Sequence, residues 1–205
     1  YDSGPEIKLT HEFQKLPYYA KNVWPKDMPK LKEISNEFYS NCCYVGLIIL
    51  NKIAKILNLS ESFFSDKFDL PMALLRCNYY HGLHSLPDKE EFGIAPHTDY
   101  GCLTLLFTEN DNGLEIKTPD SKWLKVQARK NELIINFGDM LELWTNHKVK
   151  ATLHRVKNTK NERYSIPFFF NPRHDTLIRK DGNNGDIYAG NYLAYKYDST
   201  YKHKM

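Results

Sequence analysis

The sequence predicts a mainly β chain, an antiparallel double-sheet core of the jelly-roll type with one long N-terminal helix packed on an outer face. Three observations carry this. After Pro71, runs of five to eight residues rich in branched and aromatic side chains alternate with Gly, Pro, Asn and Asp. No helical period separates successive runs, which argues for antiparallel sheets rather than parallel strands with crossover helices. Before Pro71, one stretch carries its apolar residues at helical spacing instead.

That stretch places Leu31, Ile34, Phe38, Val45, Ile49, Ile53 and Ile56 at threes and fours or their sums, which predicts an amphipathic helix over 28–58. Asp27 is expected to cap its start, Pro29 suits the first turn, and Asn58-Leu59-Ser60 reads as its end. A second short helix is expected after Ser60. Strands are predicted at 72–80, 102–107, 114–118, 123–126, 132–137, 152–156 and 164–170, with another near 176–179. Asp111-Asn112-Gly113 reads as a hairpin turn between two of them. Residues 188–201 have no clean period and are expected to form a loosely packed tail or one short helix. The whole of 1–205 then forms one domain: a helical segment over 28–67, a core over 72–180 and a tail over 181–205.

A length of 205 residues and a hydrophobic fraction of 41% suffice for one sizeable core. The net charge is +3, with Lys and Arg scattered among 25 acidic residues, so no basic stripe marks a nucleic-acid partner and a small anionic ligand fits better. The most apolar stretch, 45–50, is broken by Asn51 and Lys52, far short of the roughly 20 apolar residues that cross a bilayer. The opening Tyr1-Asp2-Ser3-Gly4-Pro5 has neither an initiator Met nor the order of a secretory signal, and reads as trimmed or as part of a longer protein. Cys42, Cys43, Cys77 and Cys102 form no C-x-x-C pair and no spaced framework, which argues against a zinc knuckle or a secreted disulfide scaffold and for reduced thiols in the cytoplasm. The expectation is a monomer acting on a small molecule, with no nucleic-acid or membrane partner.

His97-Thr98-Asp99 sets an imidazole and a carboxylate two residues apart, so in an extended segment both project from one face and can share an ion. Pro96 and Gly101 flank them as the end of a strand running into a turn. The third donor is expected from His154, inside a predicted strand, whereas His11, His147, His174 and His203 fall in polar or loop segments. Fifty-seven residues separate His97 from His154, enough for an intervening meander to return. Two His and one carboxylate on one face leave octahedral positions open, as iron(II) oxygen chemistry requires; a structural zinc site would be closed and usually Cys-rich. His81 and His84 are rival ligands from one loop but lack a carboxylate in register.

Nine residues after His154 comes Arg163-Tyr164-Ser165, opening an apolar strand. Alternation puts Arg163 and Ser165 on one face, where a guanidinium can grip a carboxylate through two hydrogen bonds and the hydroxyl can donate a third. Each piece has a plainer reading: a chance H-x-D, a core histidine, an arginine in a surface ion pair. Their joint occurrence in one strand-rich domain is far more specific.

These residues lie in stretches that resemble the isopenicillin N synthase-like branch of the iron(II)/2-oxoglutarate-dependent dioxygenases. The stretches are Arg76-Cys77-Asn78-Tyr79-Tyr80, Ala95-Pro96-His97-Thr98-Asp99-Tyr100-Gly101 with Leu103-Thr104-Leu105-Leu106, Gly113-Leu114-Glu115, Asn136-Phe137-Gly138-Asp139, His154-Arg155-Val156 and Arg163-Tyr164-Ser165-Ile166-Pro167-Phe168-Phe169. The resemblance runs from about Trp24 to Tyr201 and implies a double-stranded β-helix. It implies His97, Asp99 and His154 as ligands of Fe(II), and Arg163 and Ser165 on the distal carboxylate of 2-oxoglutarate. Asn78 and Tyr80 would lie beside that cosubstrate and Phe169 would face the primary substrate. The implied reaction couples decarboxylation of 2-oxoglutarate, with O2, to oxidation of an unactivated carbon. The chain departs from the family in two places. It carries little of the segment that usually precedes this region, and it reads Thr145-Asn146-His147-Lys148 where serine-asparagine-glycine is common, a loop expected to tune the substrate.

Three other functions fit parts of the pattern. Some members with the same residues oxidise a substrate directly, without 2-oxoglutarate, and Arg163 and Ser165 would then hold the substrate's own acid. A catalytically silent binding or sensing protein would keep the fold without turnover. A carbohydrate-binding jelly roll would need exposed aromatics on a concave face and no metal ligands.

Overall fold

The computed structural model describes residues 1–8, 11–83, 92–108, 113–180, 182 and 185–201. Asp111, Asn112, His84 and His203 lie outside the described residues. The elements run β1 (Asp2–Ser3), α1 (Pro29–Ile56), β2 (Leu74–Arg76), β3 (Asn78–Tyr80), β4 (Phe92–His97), β5 (Leu103–Thr108), β6 (Leu114–Lys117), β7 (Trp123–Lys125) and β8 (Ile134–Phe137). They continue as α2 (Asp139–Trp144), β9 (His154–Lys157), β10 (Arg163–Phe170), β11 (Leu177–Arg179), β12 (Ile187–Tyr188) and α3 (Ala189–Tyr201). No helix among the described residues is long and apolar enough to cross a membrane.

Helix α1 ends two residues short of the expected limit, and its ends differ in how they are closed. Met28, not Asp27, is the N-cap, and no side chain bonds the first turn; Pro29 at the first helical position lacks the N–H that would otherwise need a partner. At the other end Asn58 takes φ 56°, and the Asn58 and Leu59 amides donate to the Lys55 and Ala54 carbonyls at 3.1 and 2.9 Å. This left-handed closure satisfies the last carbonyls. Beyond Ser60 the chain forms turns and one 3-10 turn, Ser65–Lys67, instead of a second α-helix.

Two antiparallel sheets face each other across a cavity. One has the order β1-β2-β10-β5-β8, with β3 also pairing β10; the other has the order β4-β9-β6-β7. Alternation along β10 sorts its side chains cleanly: Ser165, Pro167 and Phe169 line the cavity, while Phe168 and Phe170 are buried on the opposite face. Helix α1 covers that opposite face. Tyr39 meets Phe168 edge-on at 5.1 Å and Phe38 meets Phe107 at 4.7 Å, and a Cβ on Gly46 would fall 2.6 Å from the Phe170 ring. Each fully buried phenylalanine here stabilises the fold by about 1.5–3 kcal/mol. The second sheet presents a charged outer face, where Arg155 bonds Glu115 at 2.7 Å and lies over the Trp123 ring at 4.1 Å.

Residues 189–201 form a packed helix, not a loose tail. Ala189 and Leu193 are buried, and the Lys196 ammonium donates to Asp139 of α2 at 2.7 Å. Tyr100 and Thr200 also share a hydrogen bond between their hydroxyls. The short burying stripe, in a segment with four tyrosines, explains why no clean period is visible.

Candidate metal centre and acid site

His97 closes β4 and His154 opens β9, and the two strands pair with these residues directly opposite. The rings lie 4.2 Å apart, centroid to centroid. Each Nδ1 donates to a backbone carbonyl two residues back, His97 to Ala95 at 2.8 Å and His154 to Thr152 at 2.9 Å. A carbonyl can only accept, so Nδ1 carries the hydrogen and the Nε2 lone pair is free to face a cation. Burial, and then the neighbouring His154, lower the His97 pKa, which favours the neutral ligating form.

Asp99 lies past the end of β4, in the turn before β5, so its place does not come from strand alternation. It is held from outside. The Thr104 hydroxyl and the Asn136 amide donate to Oδ2 at 2.7 and 2.6 Å, leaving Oδ1 directed at the imidazoles, 3.9 Å from His97 Nε2 and 3.7 Å from His154 Nε2. These separations exceed a hydrogen bond. They lie within the roughly 4.2 Å that two donors can span across one ion at about 2.1 Å each. All three donor atoms lie within 4.8 Å of one another, the one such group among the described residues.

The turn itself is clamped by the start of α2. The Asp139 amide donates to the Asp99 carbonyl at 2.8 Å and the Met140 amide to the Gly101 carbonyl at 3.0 Å. Gly138 permits this approach, since a Cβ there would fall 2.3 Å from the Gly101 oxygen.

Arg163 and Ser165 are 4% and 7% exposed, whereas Tyr164 between them is 57% exposed. Across the sheet Arg163 faces Tyr80 and Ser165 faces Asn78. The Arg163 guanidinium lies 3.8 Å from the Tyr80 ring centre, and Asn78, Tyr80 and Ser165 line a cavity of about 550 Å³ together with His97, Asp99 and His154. Tyr79 points away and donates to Glu162 at 2.6 Å. Phe169 lines the same cavity.

The other described histidines take different roles. His11 accepts from the Phe13 amide at 3.2 Å, exposed His81 packs on Tyr79, and His174 packs among Phe13 and Tyr18. His147 bonds Glu142 at 2.9 Å. Glu142 also accepts from Lys150 and the Ala151 amide, and His147, followed by that amide, holds its pKa down to about 2. This carboxylate anchors the loop leading to His154. Among the described residues lining the cavity none comes from 145–148. Cys102 is fully buried, and burial raises its thiol pKa.

Thr104, Asn136, Gly138 and α3, whose Leu193 and Tyr197 line the cavity, go beyond the residues the sequence singled out for the site. Asn136 left a signal, a polar side chain in an otherwise apolar strand.

A double-stranded β-helix bearing two imidazoles and a carboxylate on one side of a cavity defines a class of metal-dependent oxygenase folds. Residues 71–172 match the model of the 2OG-Fe(II) oxygenase superfamily. The chain is 33% identical over 190 residues to the 2-oxoglutarate-Fe(II) type oxidoreductase ppzD of Metarhizium rileyi, covering 87% of this chain and 51% of that protein. It is 34% identical to the oxidoreductase hxnY of Emericella nidulans, covering 83% and 52%. Among solved structures, a 2OG-Fe(II) oxygenase family protein from Caulobacter crescentus superposes with a TM-score of 0.88 at 28% identity, covering 98% of this chain and 68% of that one. The chain belongs to the 2OG-Fe(II) oxygenase superfamily. It spans about half the length of the curated relatives it matches.

Proposed function

We propose that this chain is a 2-oxoglutarate-dependent iron(II) oxygenase of the isopenicillin N synthase-like branch, oxidising a small molecule in the cavity between its two sheets. The observation that carries this is one wall-to-wall arrangement: His97, Asp99 and His154 converge on one side of the cavity, and Ser165 with Asn78 and Tyr80 lines another. His97, Asp99 and His154 would hold Fe(II). The bound metal with 2-oxoglutarate supplies the activation of O2 that the side chains lack. Arg163 and Ser165 would bind the distal carboxylate of 2-oxoglutarate through charged hydrogen bonds, each contributing about 1.5–3 kcal/mol. Tyr80, stacked on the guanidinium, holds the arginine fork in place and keeps water from it. Phe169 would face the primary substrate. We also read the chain as a monomer and as cytoplasmic, the latter supported by its four free cysteines.

The test is an aerobic assay of the chain with Fe(II) and 2-oxoglutarate, following O2 consumption and succinate together. Succinate formed in step with O2 supports the proposal. O2 uptake without succinate would assign Arg163 and Ser165 to the substrate's own acid, and binding without any turnover would make the chain a sensor.

A further inference from the structure

One short helix reaches two of the three metal-site side chains. The start of α2 clamps the Asp99 turn, and Glu142 of the same helix grips the segment that leads into His154. Glu142 Oε2 accepts from the Ala151 amide at 2.7 Å, and the next amide, Thr152, donates to the Phe137 carbonyl at 3.3 Å. The Thr152 carbonyl in turn accepts from His154 Nδ1 at 2.9 Å. The orientation of the His154 ring therefore depends on where Ala151 and Thr152 lie, and that depends on Glu142.

Glu142 is held by the loop that the sequence set apart. Asn146 and His147 stand at φ 50° and 62°, in the left-handed region that side chains seldom enter and that Asn and His tolerate better than most. These two residues turn the chain back over α2. The His147 amide donates to the Glu142 carbonyl at 2.7 Å, and the imidazole Nδ1 donates to Glu142 Oε1 at 2.9 Å. The ionised carboxylate can only accept, so Nδ1 carries the hydrogen. Lys150 shares Oε1 at 3.1 Å, through a long side chain that is 69% exposed and gives up more rotamer freedom in holding such a bond. The imidazole is shorter and springs from a backbone already turned toward the carboxylate. Among the groups that hold the Glu142 pKa down to about 2, His147 comes first and the Ala151 amide second.

We propose that His147 is a positioning residue for the metal centre: it fixes the Glu142 carboxylate across the loop, so that the Ala151 amide, the Thr152 carbonyl and hence the His154 imidazole keep one arrangement. The loop over 145–148, which contributes no residue to the described cavity lining, then acts on the metal side chains from behind. Its effect on metal binding rests on the metal-centre reading above; its hold on Ala151 does not.

The test compares the full chain with two variants. His147→Gly removes the imidazole and fits the left-handed backbone without steric cost, so it should melt no lower than the unmodified chain. Its Ala151 amide, followed by hydrogen exchange in the metal-free chain, should nevertheless exchange several-fold faster. Anaerobic equilibrium dialysis should show its Fe(II) affinity lowered about 3- to 10-fold, less than the 10–100-fold of residues bonded directly to a ligand. His147→Asn sets Nδ2 at the same number of bonds from the backbone as the imidazole Nδ1 and tolerates the same φ, so it should restore both the protection and the affinity. Unchanged Ala151 exchange and Fe(II) affinity in His147→Gly overturn the proposal, as does a loss that His147→Asn leaves uncorrected. A lower melting temperature in His147→Gly, with faster exchange spread evenly over the core amides, would make the side chain a general prop and overturns it too. If the unmodified chain binds no Fe(II), the metal-centre reading fails, and the Ala151 exchange still decides whether His147 holds the loop.

Discussion

The two proposed binding regions of this cavity are built differently. Arg163 and Ser165 sit at the start of β10, the central strand of its sheet, where an unbroken antiparallel register aligns them with Tyr80 and Asn78. His97, Asp99 and His154 sit where strands begin, end or turn, and the β4–β9 register shifts twice before the two histidines meet. Regular pairing, with the Tyr80 ring against the Arg163 guanidinium, positions the acid end. The metal cluster depends on neighbours: two carbonyls that orient the imidazoles, Thr104 and Asn136 that fix Asp99, and Gly138 that lets α2 grip the turn. Damage to the metal end should therefore spread inward from residues that never touch the ion, and damage to the acid end should stay local.

The largest effect is expected for His154→Ala, which should weaken Fe(II) binding by more than about 100-fold, since loss of a ligand exceeds the 10–100-fold typical of supporting residues. Metal titration followed by equilibrium dialysis checks it. Asn136→Ala and Thr104→Val should each lower metal affinity by about 10–100-fold while melting close to the unmodified chain; unchanged affinity in both would remove the idea that Asp99 needs outside support. Gly138→Ala should cost about 1–3 kcal/mol of stability by overpacking against the Gly101 carbonyl, and should weaken metal binding as the Asp99 turn shifts. Arg163→Lys keeps the charge and loses the fork, so the KM for 2-oxoglutarate should rise about 10-fold with metal affinity unaffected. Tyr164→Ala, between two buried neighbours but itself exposed, should cost about 0.5–1.5 kcal/mol through its ring contact with Tyr79 and leave both affinities alone.

The same contrast explains what could be read from the sequence. Arg163 and Ser165 follow from a period of two inside a strong strand, and their burial around exposed Tyr164 is what that period demands. The long helix and most core strands carry equally regular patterns. The strand β4 escaped because Gly93 and Pro96 interrupt it and four of its six residues are exposed, so it lacks the alternation of a half-buried strand. Asp99 could be named from its spacing to His97, but its orientation comes from Thr104 and Asn136, five and 37 residues away. Helix α3 could be named only as one of two alternatives because much of its support is distant in sequence: Lys196 on Asp139 and Tyr197 against Tyr100. Contacts of this kind are written in the tertiary structure, where no periodicity reports them.

The central claim is that His97, Asp99 and His154 on one side of the cavity and Arg163 at the start of β10 serve one reaction centre. Anaerobic titration of the chain with Fe(II) and then 2-oxoglutarate tests it most directly, through the visible metal-to-ligand charge-transfer band that forms only when both share one site. A band saturating at one equivalent of each, weakened in its 2-oxoglutarate dependence by Arg163→Lys and lost in His154→Ala, is the predicted result. A chain that binds both components without the band, or keeps the band without His154, would contradict it.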